Sequence, residues 1–165
     1  MPRLAKRKPV VTLGPVGYAR VDDYVHRVGF SADGTKLAAC AASGEVAVWD
    51  VPSFTRGNPL AGHRQSAQVL AWHPTRPELA TGGQDGAVRI WNPETGTARA
   101  EVEPGGQAAW VENLRWSPDG KLLAASAGKQ LRLWDCAAQK QPQLAGEVPA
   151  HQTTISALAW MPRGA

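Results

Sequence analysis

The segment LATGGQDGAVRIWN, from Leu79 to Asn92, decides the fold. It contains two runs of small, β-branched and apolar residues on either side of the pair Asp85–Gly86. An Asp-Gly pair between such runs is a strong signal for a β-hairpin, because these two residues tolerate the backbone of a tight reversal. No helical period is present in the segment. It therefore predicts two antiparallel strands joined by a short turn.

The hairpin belongs to a repeat. Its last tryptophan, Trp91, has counterparts in GEVAVWD and KQLRLWD, so that Trp49, Trp91 and Trp134 lie 42 and 43 residues apart. We call these three the third-strand tryptophans. A second series precedes a turn in each unit at spacings of 42, 44 and 44 residues, and we call its members the turn aromatics: Phe30, Trp72, Trp116 and Trp160. Two series that keep the same period indicate repeated structural units.

Each unit contains four predicted strands. In the second unit, the apolar run AQVLAW is followed by the turn HPTRP and then by the hairpin described above. A Pro/Gly turn, PETG, leads to TARAEVE, which is less apolar than the strands before it and is therefore expected at the outside of a sheet. The sequence predicts an all-β protein made of four-stranded antiparallel repeats of about 42–44 residues.

These phrases resemble the WD-repeat β-propeller family. The resemblance is carried by Gly62–His63, His73–Pro74, the segment Leu79–Asn92, FSADG, WSPDG and the endings VWD and LWD, and it extends from about Val21 to the C-terminus. It implies that each unit forms a propeller blade. Residues 1–20 are then a basic tail, with Val10–Leu13 as a possible outer strand of a preceding blade. The remainder, 21–165, is a propeller segment with repeats at approximately 21–61, 62–105 and 106–149 and a partial one at 150–165.

The number of predicted blades does not close a ring. Three full repeats and the start of a fourth are present, whereas propellers close with about 4–8 blades. We expect an incomplete array: a fragment of a propeller that typically has about seven blades, or a truncated reading frame. Open blade edges expose unpaired strand groups, so self-association through those edges is the alternative.

One unit contains a set of residues that looks catalytic. His63, Thr81 and Asp85 are the residue types of a hydrolase triad, but Thr81 lies in a strand rather than on a strained turn. The family resemblance implies that these three and Trp91 form a buried hydrogen-bond network instead. We therefore expect no catalytic residue. The first and third units depart from this pattern at the matching positions, which are Val21, Ala39 and Ser43, and Gln107, Ala125 and Gly128.

Other chemistries are disfavoured. The four histidines lack metal-ligand spacing, and no phosphate-binding glycine loop occurs, so we expect neither metal nor cofactor. Cys40 and Cys136 show no paired spacing, and no apolar run could span a membrane, which favours a cytoplasmic protein. The net charge of +4 is matched by four basic residues among the first eight, so a nucleic-acid contact is less favoured than a solvated tail.

The resemblance also implies where a protein or peptide partner would bind. In the family, three positions of each unit point toward the entrance of the central channel. Six residues before the turn aromatics are Tyr24, Ser66, Trp110 and Thr154. Four residues before them are His26, Gln68, Glu112 and Ser156, and Gln84 precedes the hairpin Asp85.

Trp110 stands apart from the other tryptophans, since it is the only one of seven that belongs to neither series. Either it is an exposed binding residue, which we favour, or it fills space beside Gln107, where a network histidine is missing. The sequence thus predicts a non-catalytic protein-interaction scaffold. The alternatives are an accessory propeller segment of a larger signalling or enzymatic protein, and a nucleic-acid-associated factor that uses the basic tail.

Overall fold

The computed structural model describes residues 17–51, 53–105, 109–138, 141–149 and 151–161. Within these ranges the chain forms twelve β-strands and no helix. The strands are β1 (Val25–Phe30), β2 (Lys36–Ala41), β3 (Val46–Asp50), β4 (Thr55–Arg56), β5 (Ala67–Trp72), β6 (Leu79–Gly83), β7 (Val88–Asn92), β8 (Thr97–Val102), β9 (Val111–Trp116), β10 (Leu122–Ala127), β11 (Gln130–Asp135) and β12 (Gln143–Val148).

The strands form three antiparallel sheets in which each strand pairs with its neighbour along the chain. Blade 1 contains β1–β4, blade 2 contains β5–β8 and blade 3 contains β9–β12. The predicted all-β fold, with propeller blades of four antiparallel strands, is confirmed. The hairpin from which the repeat was recognised is β6–β7, where Gly86 has a φ of 78° and permits the tight turn.

The strand register explains why the two aromatic series keep the same period. In blade 2, Leu79 lies opposite Trp72 on one side and opposite Trp91 on the other. The same row of turn aromatic, leucine and third-strand tryptophan crosses the other two blades, as Phe30–Leu37–Trp49 and Trp116–Leu123–Trp134. Because both aromatic residues of a unit are positioned by one leucine, they recur together.

Apolar side chains hold neighbouring blades together. Between blades 1 and 2, Cys40 and Val48 belong to one buried cluster with Leu79 and Trp91. A second cluster joins blades 2 and 3 and contains twelve buried residues, from Val69 to Cys136. Blade 2, the middle blade of the three, therefore buries both of its faces, which accounts for strands that are apolar without alternation.

The tryptophans among the turn aromatics each donate a hydrogen bond to the preceding repeat. The indole Nε1 of Trp72 donates to the carbonyl oxygen of Gly29 in the preceding blade, at 2.9 Å. Trp160 donates in the same way to Arg115, at 3.2 Å. Phe30, the turn aromatic of blade 1, has no such donor and its side chain is exposed. Each of these bonds therefore runs from a tryptophan in one repeat to a backbone carbonyl in the repeat before it.

The start of the fourth repeat contacts blade 3 without forming a strand of its own. Residues 151–161 contain no strand. They contact the β10–β11 turn of blade 3, where the backbone nitrogen of Ile155 donates to the carbonyl of Gly128 at 3.0 Å and that of His151 donates to Lys129 at 2.9 Å. A strand requires a partner strand for its backbone groups, and the described residues provide none at this position. The possible outer strand at Val10–Leu13 lies outside the described residues.

Candidate partner-binding surface

The predicted site residues lie mainly on one surface, which we call the loop surface. It is formed by the segments that lead into β1, β5 and β9 and by the turns between the second and third strands of each blade. These parts are braced by the backbone: Ala42 N donates to Tyr24 O, and Gln84 N donates to Ser66 O, each at 2.8 Å. The loop surface is therefore tied to the strands rather than carried on free loops.

Below this surface, the three residues of the suspected triad and Trp91 lie in one chain of hydrogen bonds. Trp91 Nε1 donates to Thr81 Oγ1 at 2.8 Å, and Thr81 Oγ1 lies 2.8 Å from His63 Nε2. His63 Nδ1 lies 2.9 Å from Asp85 Oδ1. All groups in the chain are satisfied when Nδ1 carries the proton: His63 donates to Asp85, Thr81 donates to Nε2, and Trp91 donates to Thr81.

Arg89 extends the network, and the sequence analysis did not anticipate it. Its Nη1 donates to Asp85 Oδ2 at 2.7 Å and also lies 2.7 Å from His63 Nδ1. Its Nε donates to Glu101 on the outer strand at 2.8 Å. No motif of the repeat includes this residue. The sequence signal that could have indicated it is its position on β7, two residues before Trp91 and therefore on the same face of the strand.

The protonation of the network is set by burial and by these contacts. Burial lowers the pKa of His63 below its ordinary value of 6.5, so the ring is neutral at physiological pH. Burial alone would raise the pKa of Asp85, but hydrogen bonds from Arg89 and His63 outweigh it and hold that pKa well below its usual range. The Thr81 side chain is fully buried. The network therefore has no nucleophile that a substrate could reach.

Two aromatic side chains project from the loop surface. Tyr24 is 70% exposed and Trp110 is 54% exposed, whereas Trp116, six residues later, is 7% exposed. Trp110 consequently does not occupy the interior. Gln107, which stands where blade 2 has His63, lies outside the described residues. The rings of Tyr24 and His26 meet edge to face with their centroids 5.2 Å apart.

The polar residues predicted for this surface differ in exposure. Ser66 is buried and accepts a hydrogen bond from Gln68 Nε2 at 2.8 Å; that same nitrogen lies 3.5 Å from His26 Nε2. Ser66 thus holds Gln68 in place and is not itself open to a partner. Those that remain half-buried are His26, Gln68, Gln84 and Glu112, and those that are exposed are Thr154 and Ser156.

A cavity of about 200 Å³ opens between the inner strands of all three blades. Glu112 lines it together with Arg27 of blade 1 and Arg115, its neighbour on β9. The Oε2 atom of Glu112 is buried and has no hydrogen-bond partner among the described residues. The two arginines were not predicted, because strand residues at these positions carry no recognisable motif and come together only when three blades pack.

The sequence predicted neither a metal site nor a membrane span, and the described residues can be searched for both. In that part of the chain, no three His, Cys, Asp or Glu side chains are grouped as metal ligands. None of the described segments is a helix that could cross a membrane. Cys40 and Cys136 are free and buried, and burial raises the pKa of their thiols to about 12 and about 11 respectively.

The sequence matches a family model described as "WD domain, G-beta repeat" over residues 9–50, 55–92 and 103–135. The chain belongs to the WD-repeat family. The three matches end at the last residues of β3, β7 and β11, so each matched unit closes with a third-strand tryptophan and its neighbour. The matched units therefore end one strand earlier than the blades, which end with β4, β8 and β12. The predicted repeat boundaries remain predictions.

Among similar proteins, Protein HIR1 of Cryptococcus neoformans is 30% identical over 142 residues, which cover 82% of this WD-repeat chain and 16% of HIR1. Anaphase-promoting complex subunit cdc20 of Dictyostelium discoideum is 29% identical over 143 residues, or 86% of this chain and 28% of the relative. A chain in the crystal structure of a mitotic checkpoint complex matches with a TM-score of 0.74 and 26% identity, covering 89% of this chain and 44% of its own. The chain therefore spans less than half the length of each of these relatives.

Proposed function

We propose that this WD-repeat chain is a non-catalytic scaffold that binds a protein or peptide partner on its loop surface. The observation that carries the proposal is the exposure of Trp110, the one tryptophan that the repeat does not require. The other described tryptophans pack within or between blades, where they have a structural cause. An exposed tryptophan supported by ordered backbone is the kind of residue that dominates binding energy in interfaces.

Tyr24 and the rigidity of the surface support the same proposal. Both aromatic side chains, Tyr24 and Trp110, occupy the same position of their repeats, one in blade 1 and one in blade 3. Between them, blade 2 presents the ordered amide of Gln68. A partner segment that crosses the three blades would meet two large aromatic contacts with polar groups between them, at little ordering cost to the scaffold.

Two of the relatives support an assembly role by their names, which refer to the anaphase-promoting complex and the mitotic checkpoint complex. By this likeness, the partner would be a subunit or a segment of a multiprotein assembly. Since the chain spans only part of its relatives, a second candidate is a propeller segment that serves a larger signalling or enzymatic protein. Binding of the isolated chain to peptides would favour the scaffold function, because an accessory segment needs no partner of its own.

The proposal is tested by selecting binders from a displayed library of random peptides on the 165-residue chain. We expect the selected peptides to lose at least about tenfold in affinity when Trp110→Ala is introduced, with little change in melting temperature. Tyr18→Ala is the matched control, because Tyr18 is also exposed but does not occupy a predicted partner-facing position of its repeat. Unchanged binding by Trp110→Ala would refute the proposal, and a large drop in its melting temperature would assign Trp110 to the core.

Two further expectations belong to this proposal. The absence of catalysis is supported by the inaccessible Thr81 hydroxyl. A cytoplasmic location is supported by Cys40 and Cys136, which form no disulfide. A nucleic-acid role of the tail remains a less favoured alternative; it predicts binding that falls steeply with salt and is lost on deletion of residues 1–8.

A further inference from the structure

Glu112 has an unpaired hydrogen-bond acceptor next to the loop surface. Its Oε2 is buried without a partner, although Glu112 lies only two residues from the exposed Trp110. Buried polar atoms are almost always paired in folded proteins, and an unpaired one destabilises the fold unless a ligand or another group supplies the missing donor. The position of this atom, on the inner strand that follows the loop surface, indicates a donor supplied by the partner.

The charges around the cavity restrict what that donor can be. Arg27 has no hydrogen-bond or ion-pair partner among the described residues. Arg115 uses one nitrogen, Nη1, to donate to the carbonyl of Leu114 at 2.9 Å, which leaves its other donors available. With Glu112 ionised, these three side chains carry a net charge of +1 in a cavity of about 200 Å³.

Three kinds of side chain can be compared in this environment. A lysine or arginine would satisfy Glu112 but would add a second excess positive charge beside two guanidinium groups. A carboxylate would satisfy the arginines but would place another acceptor beside Glu112 and leave Oε2 unpaired. A carboxamide offers an N–H₂ donor for Glu112 and a carbonyl acceptor for an arginine, and it adds no charge.

We propose that this cavity binds the side-chain carboxamide of an asparagine or glutamine in the partner, with Glu112 accepting from its nitrogen and Arg27 or Arg115 donating to its oxygen. The inference rests on the proposed function, since it names the group that the same partner would insert beside Trp110. It assigns selectivity to the cavity and affinity to the exposed aromatic residues. Discrimination of this kind is strong, because a ligand that offers no donor leaves the buried oxygen of Glu112 unpaired.

The test uses the peptides selected on the full chain and measures their affinity by fluorescence polarisation. In each peptide, every asparagine or glutamine is changed in turn to its isosteric acid and to lysine. We expect one amide position at which both changes weaken binding at least tenfold to the unmodified chain. In the Glu112→Ala variant the amide form should bind less than twofold more tightly than the acid form, because the acceptor that distinguishes them has been removed.

Glu103→Ala is the control variant, since Glu103 is an exposed acid whose backbone carbonyl, rather than its carboxylate, contacts Arg132. This variant should keep the tenfold discrimination. Melting temperatures of both variants should equal or exceed that of the unmodified chain, because an unpaired carboxylate contributes nothing to folding.

Two results would overturn the inference. One is a preference for lysine or for an acid at the position that depends on Glu112; the other is the absence of any position whose discrimination depends on Glu112. If Trp110→Ala still abolishes binding in those cases, the loop surface binds the partner and only the carboxamide assignment is wrong. If neither Trp110 nor Glu112 affects binding, the proposed function fails as well.

Discussion

The indole nitrogen of Trp116 donates a hydrogen bond to the carbonyl oxygen of Ala71, 3.1 Å away in the preceding blade. The acceptor directly precedes Trp72, so one turn aromatic binds the backbone beside the previous one. Trp116 also meets the ring of His73 edge to face, at 4.8 Å between centroids. A residue that sequence analysis recognises only by its period therefore joins two blades by packing, by a hydrogen bond and by an aromatic contact.

Trp116→Phe should destabilise the chain by about 1–3 kcal/mol, because it removes the indole donor and leaves a gap where the second ring was. Trp110→Phe makes the same chemical change at an exposed position and should change the free energy of unfolding by less than about 0.5 kcal/mol. Urea unfolding followed by circular dichroism measures both. Equal effects of the two changes would show that the contact between Trp116 and Ala71 contributes nothing.

Thr81→Val should destabilise the chain by about 2–5 kcal/mol. Valine keeps the shape of threonine but leaves the indole N–H of Trp91 and the Nε2 of His63 without their partner, at about 1–3 kcal/mol each. Thr81→Ser keeps the hydroxyl and loses one methyl group, and it should cost only about 1 kcal/mol. The comparison is made by denaturant unfolding; a serine variant as unstable as the valine variant would mean that packing, not hydrogen bonding, gives Thr81 its role.

Gly120→Ala should be more destabilising than Gly34→Ala, although the two glycines end equivalent turns and have φ values of 71° and 73°. Both changes place a side chain in the left-handed region, at a cost of about 1–2 kcal/mol. At Gly120 the added Cβ would also lie 2.3 Å from Cε1 of His73, whereas nothing lies within 4 Å at Gly34. We expect an additional loss of about 1–3 kcal/mol at Gly120, measured as the difference in unfolding free energy. Identical losses would exclude the contact with His73 as a constraint.

The chain should lose stability as the pH falls below about 6.5, the ordinary pKa of histidine. Burial lowers the pKa of His63 in the folded state, so below that pH the unfolded chain binds a proton that the folded chain does not. The loss approaches about 1.4 kcal/mol per pH unit for this group until the folded pKa is reached. His73, whose pKa is also lowered by burial, adds a loss of the same sign.

The pH prediction is checked by unfolding the chain and its His63→Gln variant between pH 8 and pH 5. The variant should be less stable at pH 8 but should show a shallower decline, with the remaining slope coming from His73. An equally steep decline in the variant would mean that His63 does not titrate on unfolding.

The strands could be predicted because their signals are local. Asp85–Gly86 needs only its own backbone to form the turn, and the apolar runs on either side need only an alternating register to pair. The start of the fourth repeat forms no strand for the complementary reason. Its residues have the same local signal as β5, but a strand also requires a partner, and the described residues offer none beside residues 151–161.

The site was predicted in part. The four residues of the buried network were recognised by likeness to a known pattern, and the structure brings all four together, but Arg89 joins them through contacts that no phrase of the repeat records. Similarly, the positions facing the loop surface could be named from the repeat, and an exposed Trp110 was favoured because this residue lies outside both aromatic series. The burial of Ser66 could not be predicted. Exposure depends on what packs against a residue, and that is a property of neighbouring strands.

The sequence by itself determined the repeat, the four-stranded blade and the two aromatic series, because turn residues and strand alternation act within about 40 residues of chain. Only the tertiary structure decided which groups meet between blades. Arg27, Glu112 and Arg115 share one cavity because blades packed side by side place residues from different repeats together. The unpaired oxygen of Glu112 exists for the same reason: its surroundings are formed by packing and not by its neighbours in the chain.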